Sequence, residues 1–313
     1  MYPDDVISIV FLYLEQEDAE KTAELYPDKQ WKVTFWVDSD DYERLSDTFI
    51  MTRIHNWNRC SFPNNITHLE FVYDFNQPLD NVKLPNNLHH LEFNRSFNQP
   101  LDNVILPENL QYLGFGWNFN QSLDNVKLPN NLRYLEFGGR FNQPLDKVKL
   151  PDTITHLIFR YYYDQPLDNV ILPENLQYLE FGRNFNQPLD NLKFPNSLTH
   201  LRFGYCFNQS LDNVKLPNTI TYLEFEGNFD QPLDDVKLPS TLTHLEFGWN
   251  FNQPLDKVKL PNTITHLRFG YGFNQPLDKV IFPENLIRIE LKHDFNRSLD
   301  NVNLPPGVEI NWF

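Results

Sequence analysis

The sequence predicts a right-handed, horseshoe-like repeat solenoid with a parallel β-sheet on its concave face, a mostly non-helical convex side and a small helical N-terminal cap. Three observations carry that fold class. A Phe-Asn pair recurs every 22 residues without insertion from Phe75-Asn76 to Phe295-Asn296, with Tyr163-Asp164 and Phe229-Asp230 as variants. Each unit contains an alternating segment such as His68-Leu69-Glu70-Phe71, which puts Leu69 and Phe71 on one face of a strand and His68 and Glu70 on the other. An uninterrupted period of roughly 20–29 residues with Leu-x-x-Leu-x-Phe spacing is that of leucine-rich repeats, units that cannot bury an apolar face alone and stack to do so.

Taken in order, residues 1–46 lack the repeat. Val6, Ile7, Ile9, Val10, Leu12 and Leu14 follow Asp4-Asp5 at helical spacing, and Asp18 can cap a second helix that ends before Pro27. A helical cap over 1–46 would seal the first turn of the array. Residues 47–62, with Phe49, Trp57 and Phe62, read as a degenerate first repeat, so the solenoid domain spans 47–313. Behind each strand, segments such as Gln77 to Pro85 carry proline near both ends, which removes donors and leaves extended pieces and single turns. Val308 to Phe313 reads as one last strand. The edge it leaves open suggests a homodimer formed through an end or a swapped cap.

Stacking at about 4.8 Å aligns the apolar residues in columns, from Leu69 to Leu267, Leu79 to Leu299, Val82 to Val302 and Leu84 to Leu304. One phenylalanine spine comprises Phe71, Phe93, Phe115, Phe137, Phe159, Phe181, Phe203, Phe225, Phe247 and Phe269. A second comprises Phe75, Phe97, Phe119, Phe141, Phe185, Phe207, Phe229, Phe251, Phe273 and Phe295. Beside it, Asn76, Asn98, Asn120, Asn142, Asn186, Asn208, Asn252, Asn274 and Asn296 form a ladder expected to be buried and to bond the backbone of neighbouring turns. Tyr163-Asp164 and Asp230 are expected to be local distortions or surface variants. The acid recurring from Asp80 to Asp300 could suggest calcium, but Leu-Asp-Asn-Val offers no glycine-rich turn for carbonyl ligands, and an Asx turn is the plainer reading.

Two columns face outward from the strands. His68, His90, Tyr112, Tyr134, His156, Tyr178, His200, Tyr222, His244 and His266 present only imidazole or phenol rings, which at strand spacing can stack and bond at their edges. The reading divides between a ladder that keeps the sheet regular and a binding surface. Next to it run Glu70, Glu92, Glu136, Glu180, Glu224, Glu246 and Glu290, interrupted by Gly114, Ile158, Arg202 and Arg268. Like charges across strands are destabilising, so this column is either locally paired or awaits a cationic protein ligand. Protonation of the histidines at mildly acidic pH would offset it. The adjoining loops vary most, with Tyr73, Arg95, Trp117, Arg140, Tyr161, Arg183, Tyr205, Trp249 and Tyr271, residue types that dominate interface energies.

Composition excludes several classes. A net charge of -16 without a basic run argues against nucleic acid and anionic membranes as partners. No apolar stretch is long enough to span a bilayer. Cys60 and Cys206 fit no metal spacing, and carboxylates arranged in columns give no isolated acid/base pair, so neither cofactor nor enzymatic activity is expected. Three of the five glycosylation sequons, at Asn120, Asn208 and Asn296, fall in the asparagine ladder. Burial there would bar glycans, which favours a cytoplasmic location.

The Phe-Gly-x-x-Phe-Asn units over about residues 64–304 resemble the FNIP repeats, a leucine-rich-repeat subtype abundant in slime moulds and giant viruses. The resemblance implies a protein-interaction solenoid, in the host cytoplasm if viral. Pro3, Val6, Ile9, Val10, Leu14, Asp18 and Trp31 resemble an F-box. That likeness implies a substrate adaptor docking on a cullin-RING ubiquitin ligase through residues 1–36. A non-enzymatic binding module, such an adaptor, and a self-assembling structural protein are the three functions left in contention.

Overall fold

The computed structural model describes residues 66–313 except 72 and 81, together with the backbone of four short strands nearer the N-terminus. The chain forms about eleven turns of parallel β-solenoid, falling into two compact units, Met1–Gly139 and Arg140–Phe313. No helix occurs among the described residues. The helical cap over 1–46, the boundary at 46/47, the F-box-like segment and Cys60 lie outside the described residues, apart from backbone strands β1 (Ser8–Ile9), β2 (Lys32–Val33) and β3 (Trp36–Val37).

In the first unit β1 pairs with β2. A parallel sheet then runs in chain order through β3, β4 (Met51–Ile54), β5 (His68–Phe71), β6 (His90–Glu92), β7 (Tyr112–Gly114) and β8 (Tyr134–Phe137). The second unit repeats the pattern with β9 (His156–Phe159), β10 (Tyr178–Glu180), β11 (His200–Phe203), β12 (Tyr222–Phe225), β13 (His244–Glu246), β14 (His266–Arg268), β15 (Arg288–Leu291) and β16 (Glu309–Trp312). Within the array each residue pairs with its equivalent 22 positions on, as Tyr178 does with His200. The step is 17 between Met51 and His68 and 21 between Arg288 and Glu309, so the period breaks at both ends.

The strands alternate as their sequence requires, with Leu69 and Phe71 inside and His68 and Glu70 half-exposed. Within each unit the two spines form one stack of rings. Phenylalanines of one turn lie 3.9–4.3 Å apart by centroid and those of successive turns 5.1–6.4 Å. Each buried ring contributes about 1.5–3 kcal/mol. A further column from Ile66 through Leu88 and Leu110 to Leu286 is equally buried, although strand alternation gives no hint of it. The Leu84 column is less uniform: Leu216, Leu238 and Leu260 are only half-buried.

Tyr163 replaces a spine phenylalanine and is buried to 1% exposure, not a surface variant. Its hydroxyl finds no partner, and burial, then the charge of Asp146, raises the phenol above its ordinary pKa. Nor does Asp164 distort the ladder. Asn142 Oδ1 accepts the Asp164 amide at 2.9 Å and Asp164 Oδ1 accepts that of Asn186 at 2.8 Å. Most described rungs are completed by the next turn's glutamine, as Gln187 Nε2 donates to Asp164 Oδ1 at 3.0 Å, and at Asn274 by Arg297, which donates to its carbonyl at 2.9 Å. The rung uses only an acceptor oxygen, which a carboxylate supplies as well as an amide. These side chains are half-buried, and Asn76 and Asn296 are exposed, so the expected burial was too strong and the sequons no longer argue for a compartment.

Behind the strands Leu101-Asp102-Asn103-Val104 closes as a turn, Val104 N donating to Leu101 O at 2.9 Å. The Asp column is tied sideways: Asp80 Oδ1 accepts Asn103 Nδ2 at 3.3 Å, and Asp168 accepts Asn191 at 3.2 Å.

Candidate functional site

The His/Tyr column is a stack of rings within each unit. His90 lies 4.1 Å from Tyr112 and nearly parallel to it, and His244 lies 4.4 Å from His266, while Tyr178 and His200 are tilted at 6.1 Å. Every histidine of the column except His90 follows a threonine. Thr199, Thr243 and Thr265 each place Oγ1 within 3.2 Å of the preceding turn's carbonyl and within 2.9 Å of the Nδ1 of the next residue, His200, His244 or His266. A hydroxyl has one proton. With that proton on the carbonyl, the ring donates from Nδ1–H, and Nε2 carries the lone pair.

The expectation that the histidines charge readily in mild acid is reversed for three of them. Burial lowers the pKa of His156, His200 and His244, helped in His156 by His200 and in His244 by His266.

The acidic column of the second unit is paired internally. Arg202 meets Glu226 at 2.7 Å, Glu224 at 3.1 Å and Glu180 at 3.7 Å. Arg268 meets Glu290 at 3.3 Å and Glu246 at 3.4 Å. Burial opposes the charge of Arg202, but Glu224, Glu180 and Glu226 outweigh it and raise its pKa. Tyr222 bridges two carboxylates, at 2.7 Å from Glu246 and 3.1 Å from Glu224. Burial raises Glu224 against the opposing charge of Arg202, with Glu246 adding to the rise. Tyr178 donates to Glu180 at 2.7 Å, and its phenol is pushed up to about 12 by burial first and by that bond second. Among the described contacts of the first unit, Asn94 donates to Glu70 and Tyr112 to Glu136, both at 3.3 Å.

Beyond each strand the next position is glycine in six turns, Gly116, Gly138, Gly182, Gly204, Gly248 and Gly270. A Cβ at any of them would overlap the preceding turn's backbone. Asn94, Arg160, Glu226 and Lys292 stand there instead in four described turns, and three of them carry the pairings of this face: Asn94 on Glu70, Arg160 at 4.0 Å from Glu180, Glu226 on Arg202. Interrupted glycines were the signal in the sequence that marked them.

The loop residues form the outer rim. Arg95 lies over the ring of Tyr73 at 5.4 Å and Arg183 over Tyr205 at 4.9 Å, while Trp249 and Tyr271 stack at 4.1 Å. Arg140 does not share their register. That place is Gly139, where a Cβ would meet the ring of Trp117, and likewise at Gly227 a Cβ would meet the ring of Tyr205.

Two concavities open on this rim in the second unit. One of about 350 Å³ is lined by Arg160, Tyr161, Glu180, Arg183, Arg202, Tyr205 and Glu226. The other, about 270 Å³, is lined by Tyr205, Glu224, Glu226, Gly227, Glu246, Trp249, Arg268, Tyr271 and Phe313. No group of three or more metal-ligating side chains occurs among the described residues.

Comparison with known proteins agrees with this architecture. No protein of curated function matches the chain. Among solved structures it is 34% identical to CroV588, described as a novel circular LRR protein, with a TM-score of 0.68 over 90% of this chain and 48% of that one. The chain thus spans about half of that relative's length. An internalin, InlF of Listeria monocytogenes, shares the fold at 15% identity, with a TM-score of 0.53 over 83% of this chain and 77% of its own. The FNIP Repeat family model matches residues 58–96, 75–118, 97–140, 119–162, 163–206, 207–248, 229–272 and 273–310. None of these covers the F-box-like residues 1–36. Matched from residue 58 to residue 310, the chain belongs to the FNIP-repeat family of leucine-rich-repeat proteins.

Proposed function

We infer that the chain is a non-enzymatic protein-binding module whose contact surface is the outer rim of the second unit's strands. One observation carries the reading: Tyr205, Trp249 and Tyr271, 37%, 54% and 45% exposed, gather over two neighbouring concavities beside Arg183. Large aromatic and arginine side chains held in this way on a rigid scaffold supply most of the affinity in protein interfaces, and open solenoid faces are built for extended contacts. The carboxylates beneath are engaged by Arg202, Arg268 and Tyr222, an arrangement suited to shaping a surface rather than to proton transfer at a substrate.

The test is to pan a random peptide display library on the full chain and on the Tyr205→Ala/Trp249→Ala/Tyr271→Ala variant. Ligands should enrich on the parent and fail to be retained by the variant. No enrichment, or equal retention by both, would remove this surface from consideration.

A further inference from the structure

The two concavities differ in charge. In the first, Arg160, Arg183 and Arg202 face two glutamates, and in the second Glu224, Glu226 and Glu246 face Arg268 alone. They share Tyr205 and Glu226, so together they make one groove that is neutral as a whole and polarised along its length. At the basic end Arg183 is exposed and has no carboxylate partner among the described residues, since its guanidinium rests on Tyr205. At the acidic end Trp249 and Tyr271 are stacked and about half exposed beside Glu246. Gly227, with φ 39°, contributes no side chain between Tyr205 and Trp249.

The spacing is set by the repeat. Residues of the first concavity come from the turns of β9 to β12 and those of the second from β11 to β14, joined by Phe313 after β16. The two ends of the groove, Arg183 after β10 and Trp249 after β13, are three turns apart, about 14 Å at ~4.8 Å per strand. An extended chain covers that distance in about four residues at ~3.3 Å each.

Resting on the reading above, we propose that this groove holds an extended segment of a partner protein with one acidic and one basic side chain about four positions apart. The carboxylate lies on Arg183 with Arg160 behind it, a charge-assisted contact. The basic group lies against Trp249 and Tyr271, whose exposed ring faces favour a cation. This narrows the partner from the generally cationic protein that the acidic column suggested, because in the second unit Arg202 and Arg268 already pair with Glu180, Glu224, Glu246 and Glu290.

Fluorescence polarisation on the full chain tests it, with short labelled peptides that each carry one Glu and one Arg at separations from one position to eight. Affinity should peak near a separation of four. Arg183→Glu should weaken the best peptide by at least about tenfold and be rescued when the peptide's Glu becomes Lys. Trp249→Ala should abolish the preference for Arg. Both residues are exposed, and circular dichroism will show the variants folded. A flat profile across separations, failure of every peptide in the series to bind, or unchanged affinity of Arg183→Glu overturns the proposal. If library ligands enrich yet carry no spaced charge pair, this inference fails while the binding-module reading stands. If the library yields nothing, that reading falls as well.

Discussion

In their described contacts the two units solve one electrostatic problem in different ways. Both carry glutamates in a column at strand spacing, where unpaired like charges repel. In the first unit Glu70 and Glu136 take hydrogen bonds from Asn94 and Tyr112, and Glu92 lies 3.4 Å from His90. In the second, Arg202 and Arg268 occupy places in the column itself and each meets carboxylates on both sides. The described neutral donors of the first unit each meet one carboxylate, whereas an arginine of the second gathers several into one network. The network pulls side chains of successive turns together, and the described concavities with charged linings lie beside it.

The sharpest way to break the comparison is to remove one member from each unit. Arg202→Ala leaves Glu180, Glu224 and Glu226 facing one another, half-buried. Breaking a buried pair costs about 3–5 kcal/mol and an exposed pair at most about 1 kcal/mol. With the side chain 35% exposed, a loss of about 2 kcal/mol is expected in the denaturation midpoint. Asn94→Ala removes one hydrogen bond at a half-exposed carboxylate and should cost about 0.5–1 kcal/mol. Equal losses from the two variants would show that the arginine network is no more than a set of independent surface pairs.

The interiors differ as well. The described spine of the first unit is phenylalanine throughout, while the second contains Tyr163, whose hydroxyl is buried without a partner. Desolvation of such a group costs about 1–3 kcal/mol, and removing it leaves the ring stack intact. Tyr163→Phe should therefore raise the stability of the second unit by about 1 kcal/mol, read as a higher midpoint and slower amide exchange in β9 and β10. A destabilised variant would mean that the hydroxyl has a bonding role.

Much of this was legible in sequence. The period placed every strand from β5 to β15, because a fixed step of 22 leaves no freedom in register, and alternation assigned Leu69 and Phe71 to the core. The Leu88 column was visible as the first leucine of the Leu-x-x-Leu-x-Phe spacing, but its burial was not, since it lies outside the alternating segment and is buried by the turn that follows proline. On the outward face of the strands the columns could be read but their pairings could not. Contacts such as Arg202 to Glu226 join residues 24 apart, and which carboxylate an arginine selects depends on side-chain reach rather than on spacing. Arg160 and Glu226 were visible as breaks in a glycine column, a feature with meaning only once close backbone approach is known at that place.

Acid gives the smallest effect, and its sign separates two contributions within the second unit. His156, His200 and His244 have folded pKa values below the ordinary 6.5, chiefly through burial. The unfolded chain therefore binds protons first, and stability is lost as pH falls from above 6.5 toward the folded values. Glu224 works in the opposite direction: its folded pKa lies above 4.5, so the folded chain takes up that proton first and regains stability at lower pH. Three histidines against one glutamate predict a net fall in Tm between about pH 7.5 and 5.5, of a few degrees. Replacing the three histidines by glutamine should flatten it. Hydrogen exchange will locate the change, since protection should decline in β9 to β14. A rising Tm, or a loss confined to the first unit, would mean that the stacked imidazoles are not what keeps the second unit sensitive to protons.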